Sequence, residues 1–320
     1  MNDKIAIIGG SGFIGSCLCK IFKKNHINYM IYDIAQSLDK NHMYLDVRSP
    51  ESFAKIENSS CIINLAAEHR DDVTPLSRYD DVNVNGAENI CNAARKFNIN
   101  KIIFTSSVAV YGSAKPNTGE NGDINFFNDY GRTKYEAELI YKKWLNEDPK
   151  KRTLIIVRPT VVFGEYNRGN VYNLLKQISS RKFIIIGDGN NIKSMAYVQN
   201  VADFLLFSLG FKKGLHVHNY IDKPDMTINQ LVAFSKKIMF NKNYLEPHLP
   251  ASLGILVGRL FDIFAKITKR KFPISTIRVK KFMETTQFSS NINMTGFQAS
   301  TSLEEGLKKT IQHEFLKRQL

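Results

Sequence analysis

The chain has no internal repeat, no apolar run long enough to span a bilayer and only four cysteines in 320 residues. The first absence, with an ordinary 43% of hydrophobic and 23% of charged residues, excludes a fibrous or low-complexity protein. The second excludes a membrane-crossing helix. Cys17, Cys19, Cys61 and Cys91 are too few for a disulfide framework, and no signal peptide precedes them, so a reducing cytoplasm is the expected compartment. Cys17 and Cys19, two apart on a helix, point to nearly opposite sides, and no metal site is expected. Acid is also scarce. Thirty Asp and Glu against 44 Lys and Arg leave a net charge of +14, which attracts polyanions: nucleic acid, an acidic bilayer or a phosphorylated substrate. The excess is densest late, where Arg259, Lys266, Lys269, Arg270, Lys271, Arg278, Lys280 and Lys281 have only Asp262 as a nearby acid. Nucleic-acid binding would rest on net charge alone and is set aside.

What is present is an alternation of strand and helix signals. Lys4–Ile8 is a short apolar run that ends in Gly9-Gly10-Ser11-Gly12-Phe13-Ile14-Gly15 and continues into a helical pattern. Tyr29–Asp33 follows one helix later, and further apolar runs lie at 61–65, 102–105 and 154–157 with helix-length segments between. That order predicts an α/β protein with a Rossmann-like, doubly wound parallel sheet. Past Arg158-Pro159 the alternation weakens. We expect a first domain over 1–163, rejoined by about 195–220, and a smaller C-terminal α/β substrate lobe over 164–194 and 221–320.

Glycines at 9, 12 and 15 let the chain turn sharply, approach a pyrophosphate and pack a helix on a strand. The helix opening at Phe13 and Ile14 offers free N–H groups to the anion. Asp33 closes the second strand 18 residues after Gly15, placed to accept from both hydroxyls of an adenosine ribose and to repel a 2′-phosphate. NAD is therefore expected over NADP.

Tyr130 and Lys134 stand four apart in Tyr-Gly-Arg-Thr-Lys, so on a helix the ammonium lies close to the phenol. A lysine cation and an oxidised nicotinamide would both stabilise phenolate, moving a group that titrates near pH 10 toward use as a base. A bare Tyr-x-x-x-Lys is common. Its company here is Thr105-Ser-Ser-Val-Ala-Val-Tyr-Gly112, Asn64-Leu-Ala-Ala67, the glycine triplet and Arg158-Pro159. In order and across most of the chain, these pieces resemble the extended short-chain dehydrogenase/reductase family. The resemblance implies Ser107 as a catalytic hydroxyl that also bonds substrate. It further implies Asp46 and Val47 beside adenine, Leu65, Ala66 and Ala67 along the cofactor, and a homodimer.

Dehydratases of that family carry an acid pair after the catalytic hydroxyl residue, and decarboxylases a nearby glutamate; here Val108 and Ala109 follow Ser107. The site should move only a hydride and a hydroxyl proton, which favours 4-epimerisation of a sugar. The alternatives are a soluble UDP-sugar 4-epimerase and a 4-keto-sugar reductase. Stretches at 67–73, 167–176, 193–198 and 277–282 resemble bacterial epimerases that act on N-acetylhexosamine carried by diphospho-undecaprenol in O-antigen assembly. Leu253, Leu256, Leu260, Phe264 and Ile267 recur at helical spacing with Arg259, Lys266 and Lys269 among them. Residues 251–271 therefore read as a basic amphipathic segment suited to peripheral contact with the cytoplasmic face of an inner membrane. Arg168, Lys193 and Arg278 are the cations expected to hold a diphosphate, whether the sugar is lipid-linked or nucleotide-linked.

Overall fold

Each apolar run of the first half becomes a strand of one sheet because both of its faces are covered. The computed structural model describes residues 4–70, 72–181, 183–241, 247–268 and 275–316. Seven strands pair in parallel throughout. Their spatial order is Gly214–Tyr220, Thr153–Pro159, Lys101–Thr105, Ser59–Asn64, Lys4–Ile8, Tyr29–Asp33 and His42–Tyr44. The central strands are buried at nearly every position and carry apolar runs in their middles, as a sheet covered on both sides requires. On one face Ile62, Ile102 and Phe104 pack under Ile90, Tyr141 and Trp144. On the other, Ile7, Ile63 and Ile103 pack with Leu18, Phe22 and Phe204. Lys4–Ile8 lies between Tyr29–Asp33 and Ser59–Asn64, so strand order reverses beside it. The crevice at the carboxyl ends of such strands is where open α/β sheets bind ligands.

Two edge strands escape a reading of apolar pattern. His42–Tyr44 has only three residues, all partly or fully exposed, and Gly214–Tyr220 carries His216, His218 and Asn219. The chain divides into two units, one of Met1–Val162, Ala196–Ile221 and Phe288–Thr301, the other of Phe163–Met195, Asp222–Gln287 and Ser302–Leu320. This corrects the expected boundary: Phe288–Thr301 belongs with the sheet. Phe297 packs against Phe204 and Phe207 at ring distances of 5.2 and 5.4 Å, and one carboxylate oxygen of Glu120 accepts from the N–H groups of both Asn219 and Asn291.

In the second unit, Met195 and Lys193 pair antiparallel with Asp222 and Met226. The helix Ile228–Phe240 follows, opened by a capping box between Thr227 and Gln230. The helix Ala251–Thr268 has an unusual cross-section. Its buried residues are Gly254 and Gly258, seated on the Ile186 side chain and on Thr276, whose backbone would lie 2.9 Å from a Cβ at Gly258. Leu253, Leu256, Val257, Leu260, Ile263, Phe264 and Ile267 are 37–72% exposed. Lys269, Arg270 and Lys271 lie outside the described residues. No helix among the described residues is long and apolar enough to cross a membrane.

Candidate active site

The loop after the first strand is shaped by what it touches. Gly9 has φ +80°, and a Cβ there would stand 2.5 Å from the Ala66 nitrogen, so loop and Leu65–Ala66 backbone meet with no room for a side chain. A Cβ at Gly15 would lie 2.6 Å from Gly10 backbone. Gly12 caps the helix Phe13–Lys24 with no side-chain bond, which leaves the N–H groups of its first turn without a side-chain cap. One oxygen of Asp33 accepts from the Ser11 N–H at 2.9 Å and the other from Ala35 N–H at 2.9 Å, so the carboxylate stands beside the glycine turn. A side-chain-free cradle, an open helix N-terminus and an acid next to them fit a dinucleotide with an unphosphorylated ribose. Gly9→Val is expected to weaken NAD binding about tenfold or more, roughly 1.4 kcal/mol, by titration of NADH fluorescence; unchanged affinity would remove this loop from the cofactor site.

Other residues expected near the cofactor take varied positions. Leu65, Ala66 and Ala67 are half-buried, with Ala66 N–H donating to the Asn64 side chain at 3.1 Å. Asp46 is gripped by Arg48 at 2.9 and 2.6 Å, which holds its carboxyl below the usual range. Val47 is buried, its side chain close against Gly86.

Tyr130 sits in the first turn of the helix Asp129–Glu147, where Asn128 accepts from the Gly131 N–H at 2.9 Å. Gly131 lets this turn press on the segment after Ser107: a Cβ would come 2.5 Å from the Ala109 carbonyl oxygen. Ser107 ends the extended chain and opens a short 3-10 turn, Val108–Tyr111, accepting from Ala109 N–H at 3.1 Å. Its hydroxyl lies near enough to the Tyr130 phenol to act on that group's pKa. Burial raises the phenol's pKa and Ser107 opposes this, so the balance among the chain's own groups is upward, opposite to the lowering that a neighbouring ammonium was expected to give. Lys134 is 2% exposed, its Nζ 4.3 Å from the centre of the Phe104 ring. Burial brings the lysine down to about 7, with Glu138 pulling the other way.

Inspection of the sequence missed Asn83, buried in a π-helical turn, Asp80–Asn85. Its amide donates to the Glu68 carbonyl at 3.0 Å and to Thr133 Oγ1 at 2.9 Å, and its side-chain oxygen accepts from the Glu68 N–H. The segment after Ala67 is thereby tied to the helix that carries Tyr130. No apolar periodicity marks Asn83.

The three expected diphosphate cations lie in the second unit. Arg168 pairs with Glu314 at 2.8 Å and lies over the Tyr172 ring at 4.3 Å. Lys193 donates to the carbonyls of Lys281 and Glu284, closing the end of the helix Thr276–Met283, and burial lowers it to about 8. Arg278 is exposed on that same helix.

A glycine turn leading to a Ser–Tyr–Lys cluster across one parallel sheet is the layout of an extended short-chain dehydrogenase/reductase. Residues 5–220 match the epimerase domain described as the NAD dependent epimerase/dehydratase family, and the chain belongs to that family. Among its relatives is the N-acetyl-α-D-glucosaminyl-diphospho-ditrans,octacis-undecaprenol 4-epimerase of Escherichia coli O157:H7, 46% identical over 99% of this chain and 96% of that protein. A putative UDP-glucose 4-epimerase of Methanocaldococcus jannaschii is 31% identical over 71% of this chain and 79% of its own length. The solved UDP-glucose 4-epimerase of Thermotoga maritima superposes with a TM-score of 0.77 at 21% identity, covering 99% of this chain and 100% of that one, a likeness of fold.

Proposed function

We propose that the protein is an NAD-dependent 4-epimerase that interconverts GlcNAc and GalNAc on diphospho-undecaprenol, for O-antigen or related surface polysaccharide, at the cytoplasmic face of the inner membrane. The observation that carries the reading is the end-to-end likeness to an epimerase of that carrier-linked sugar, joined to Ser107, Tyr130 and Lys134 with Val108 and Ala109, not acids, following Ser107. NAD held by the glycine turn and Asp33 would supply a hydride acceptor that returns what it takes. Tyr130 takes the proton of the C4 hydroxyl and later gives it back. Ser107 holds the sugar oxygen and the phenol together. Lys134, charged, favours the phenolate. Val108 and Ala109 offer no group to expel water or carbon dioxide, so the keto sugar has only re-reduction open to it.

Carrier and location are supported by the helix Ala251–Thr268. A core-facing helix hides its apolar stripe, whereas this one hides two glycines and turns seven large apolar side chains outward, with Arg259 and Lys266 between them. An anionic bilayer matches both the apolar surface and the charge.

The test is to incubate the purified protein and NAD with GlcNAc-diphospho-undecaprenol in vesicles, and separately with UDP-GlcNAc. Conversion of the lipid-linked sugar is expected, with little of the nucleotide sugar converted. Conversion of the nucleotide sugar alone would overturn the carrier assignment. Stoichiometric loss of NADH with a 4-keto sugar and no epimerisation would make the enzyme a reductase.

A further inference from the structure

Arg158 is 3% exposed, yet its guanidinium reaches in two directions. Nε and Nη2 hold the two oxygens of Glu138 at 2.8 and 2.6 Å, while Nη1 donates to the Tyr111 hydroxyl at 2.7 Å and to the Glu120 carbonyl at 3.1 Å. Glu138 is fully buried and lies one turn past Lys134 on the helix that also carries Tyr130. Tyr111 ends the 3-10 turn that Ser107 opens, and its hydroxyl passes a hydrogen bond to Asn219 at 2.8 Å. One rigid planar fork thus joins the element bearing Ser107 to the element bearing Tyr130 and Lys134.

Stability alone is a poor reason for such a pair. Two charges lose their hydration on burial, and apolar side chains of similar volume often serve the fold as well or better. An arginine fork does supply a fixed distance and angle, which a point charge or an apolar contact does not.

We propose that Arg158 and Glu138 are positioning residues for the reaction: Arg158 sets the Ser107 turn in register with the catalytic helix, and Glu138 keeps the buried Lys134 charged beside Tyr130. The proposal rests on the epimerase reading above. The groups that face Lys134 are Glu138 on its own helix and the Phe104 ring from Lys101–Thr105. Arg158 acts from Thr153–Pro159 through Glu138, whose carboxylate also has Lys142 Nζ at 3.8 Å.

Arg158→Lys retains charge without the fork. It is expected to lower kcat about a hundredfold, with sugar KM and bound NAD little changed, because misplaced reacting groups cost rate and leave binding intact. Glu138→Gln removes the negative charge and leaves Arg158 uncompensated, so the alkaline limb of the kcat profile should move down by about one pH unit. The double variant Glu138→Gln/Arg158→Gln, with no buried charge at the pair, should place that limb between Glu138→Gln and wild type. It carries the test if Glu138→Gln does not fold. A merely structural pair would lower kcat evenly at all pH, without this ordering. An Arg158→Lys enzyme within about twofold of wild type, or an alkaline limb unmoved in the folded Glu variants, overturns the proposal. Tyr130→Phe run alongside separates the two ideas. If that variant turns over normally, the epimerase reading at Tyr130 is lost; if it is dead while the Arg158 and Glu138 variants match wild type, only the positioning role is lost.

Discussion

Tyr130→Phe should fold, bind NAD as wild type does and turn over about a thousandfold more slowly, within the range by which a placed acid–base group accelerates a reaction. The substitution deletes one oxygen. The Asn128 cap and the close approach of Gly131 to Ala109, which place the residue, are untouched. What disappears is the phenol beside Ser107 that can exchange a proton with a sugar hydroxyl. The pH profile follows from the same surroundings. Burial holds the phenol above its ordinary value and brings Lys134 to about 7, so the two titrations work against each other. Activity should rise with pH while the phenol becomes easier to deprotonate, then fall as Lys134 loses the proton that favours phenolate. Measuring kcat from pH 5 to 10 in both enzymes checks this. A Phe variant with wild-type turnover would remove the tyrosine from the chemistry.

Three glutamates on the outer face of the helix Ala251–Thr268, as Leu256→Glu/Leu260→Glu/Phe264→Glu, should all but abolish binding to anionic vesicles. Burying each of these side chains in an apolar phase is worth about 1.5–3 kcal/mol, so even partial insertion of three, lost together, amounts to about three orders of magnitude in partition. The new charges also repel an acidic surface. The substituted positions are about half exposed and the helix is seated through Gly254 and Gly258, so thermal stability and NAD binding should hold. Flotation with phosphatidylglycerol vesicles reads the first effect, and epimerisation of a detergent-soluble, short-chain carrier reads what remains of the chemistry. Vesicle binding that survives the triple variant would mean that this face does not meet the bilayer.

Much of the site was legible because its chemistry sits in short local strings. The glycine turn, Asp33 at a strand end, and Tyr130 four before Lys134 each depend on spacings that a strand, a turn or one helical turn sets directly. Lys4–Ile8 and Tyr29–Asp33 begin and end where the pattern of apolar and turn residues places them. The amphipathic stretch was legible too, but its pattern is the same whether the apolar side packs inward or faces out. Only the seating of Gly254 and Gly258 chose between them.

Lys193 shows the limit from the other side. As a residue type it is a diphosphate ligand; in the fold its ammonium closes a helix that begins more than 80 positions later. Asn83 with Thr133, and Arg158 with Glu138 and Tyr111, join residues 20 to 50 apart. By itself the sequence determined the five inner strands, the glycine turn and the spacing of Tyr130 and Lys134, since local sterics and periodicity act over a few residues. The tertiary structure alone decided which polar groups are buried together, and therefore where the phenol and lysine titrate, because desolvation and hydrogen bonding depend on neighbours that only the folded chain supplies.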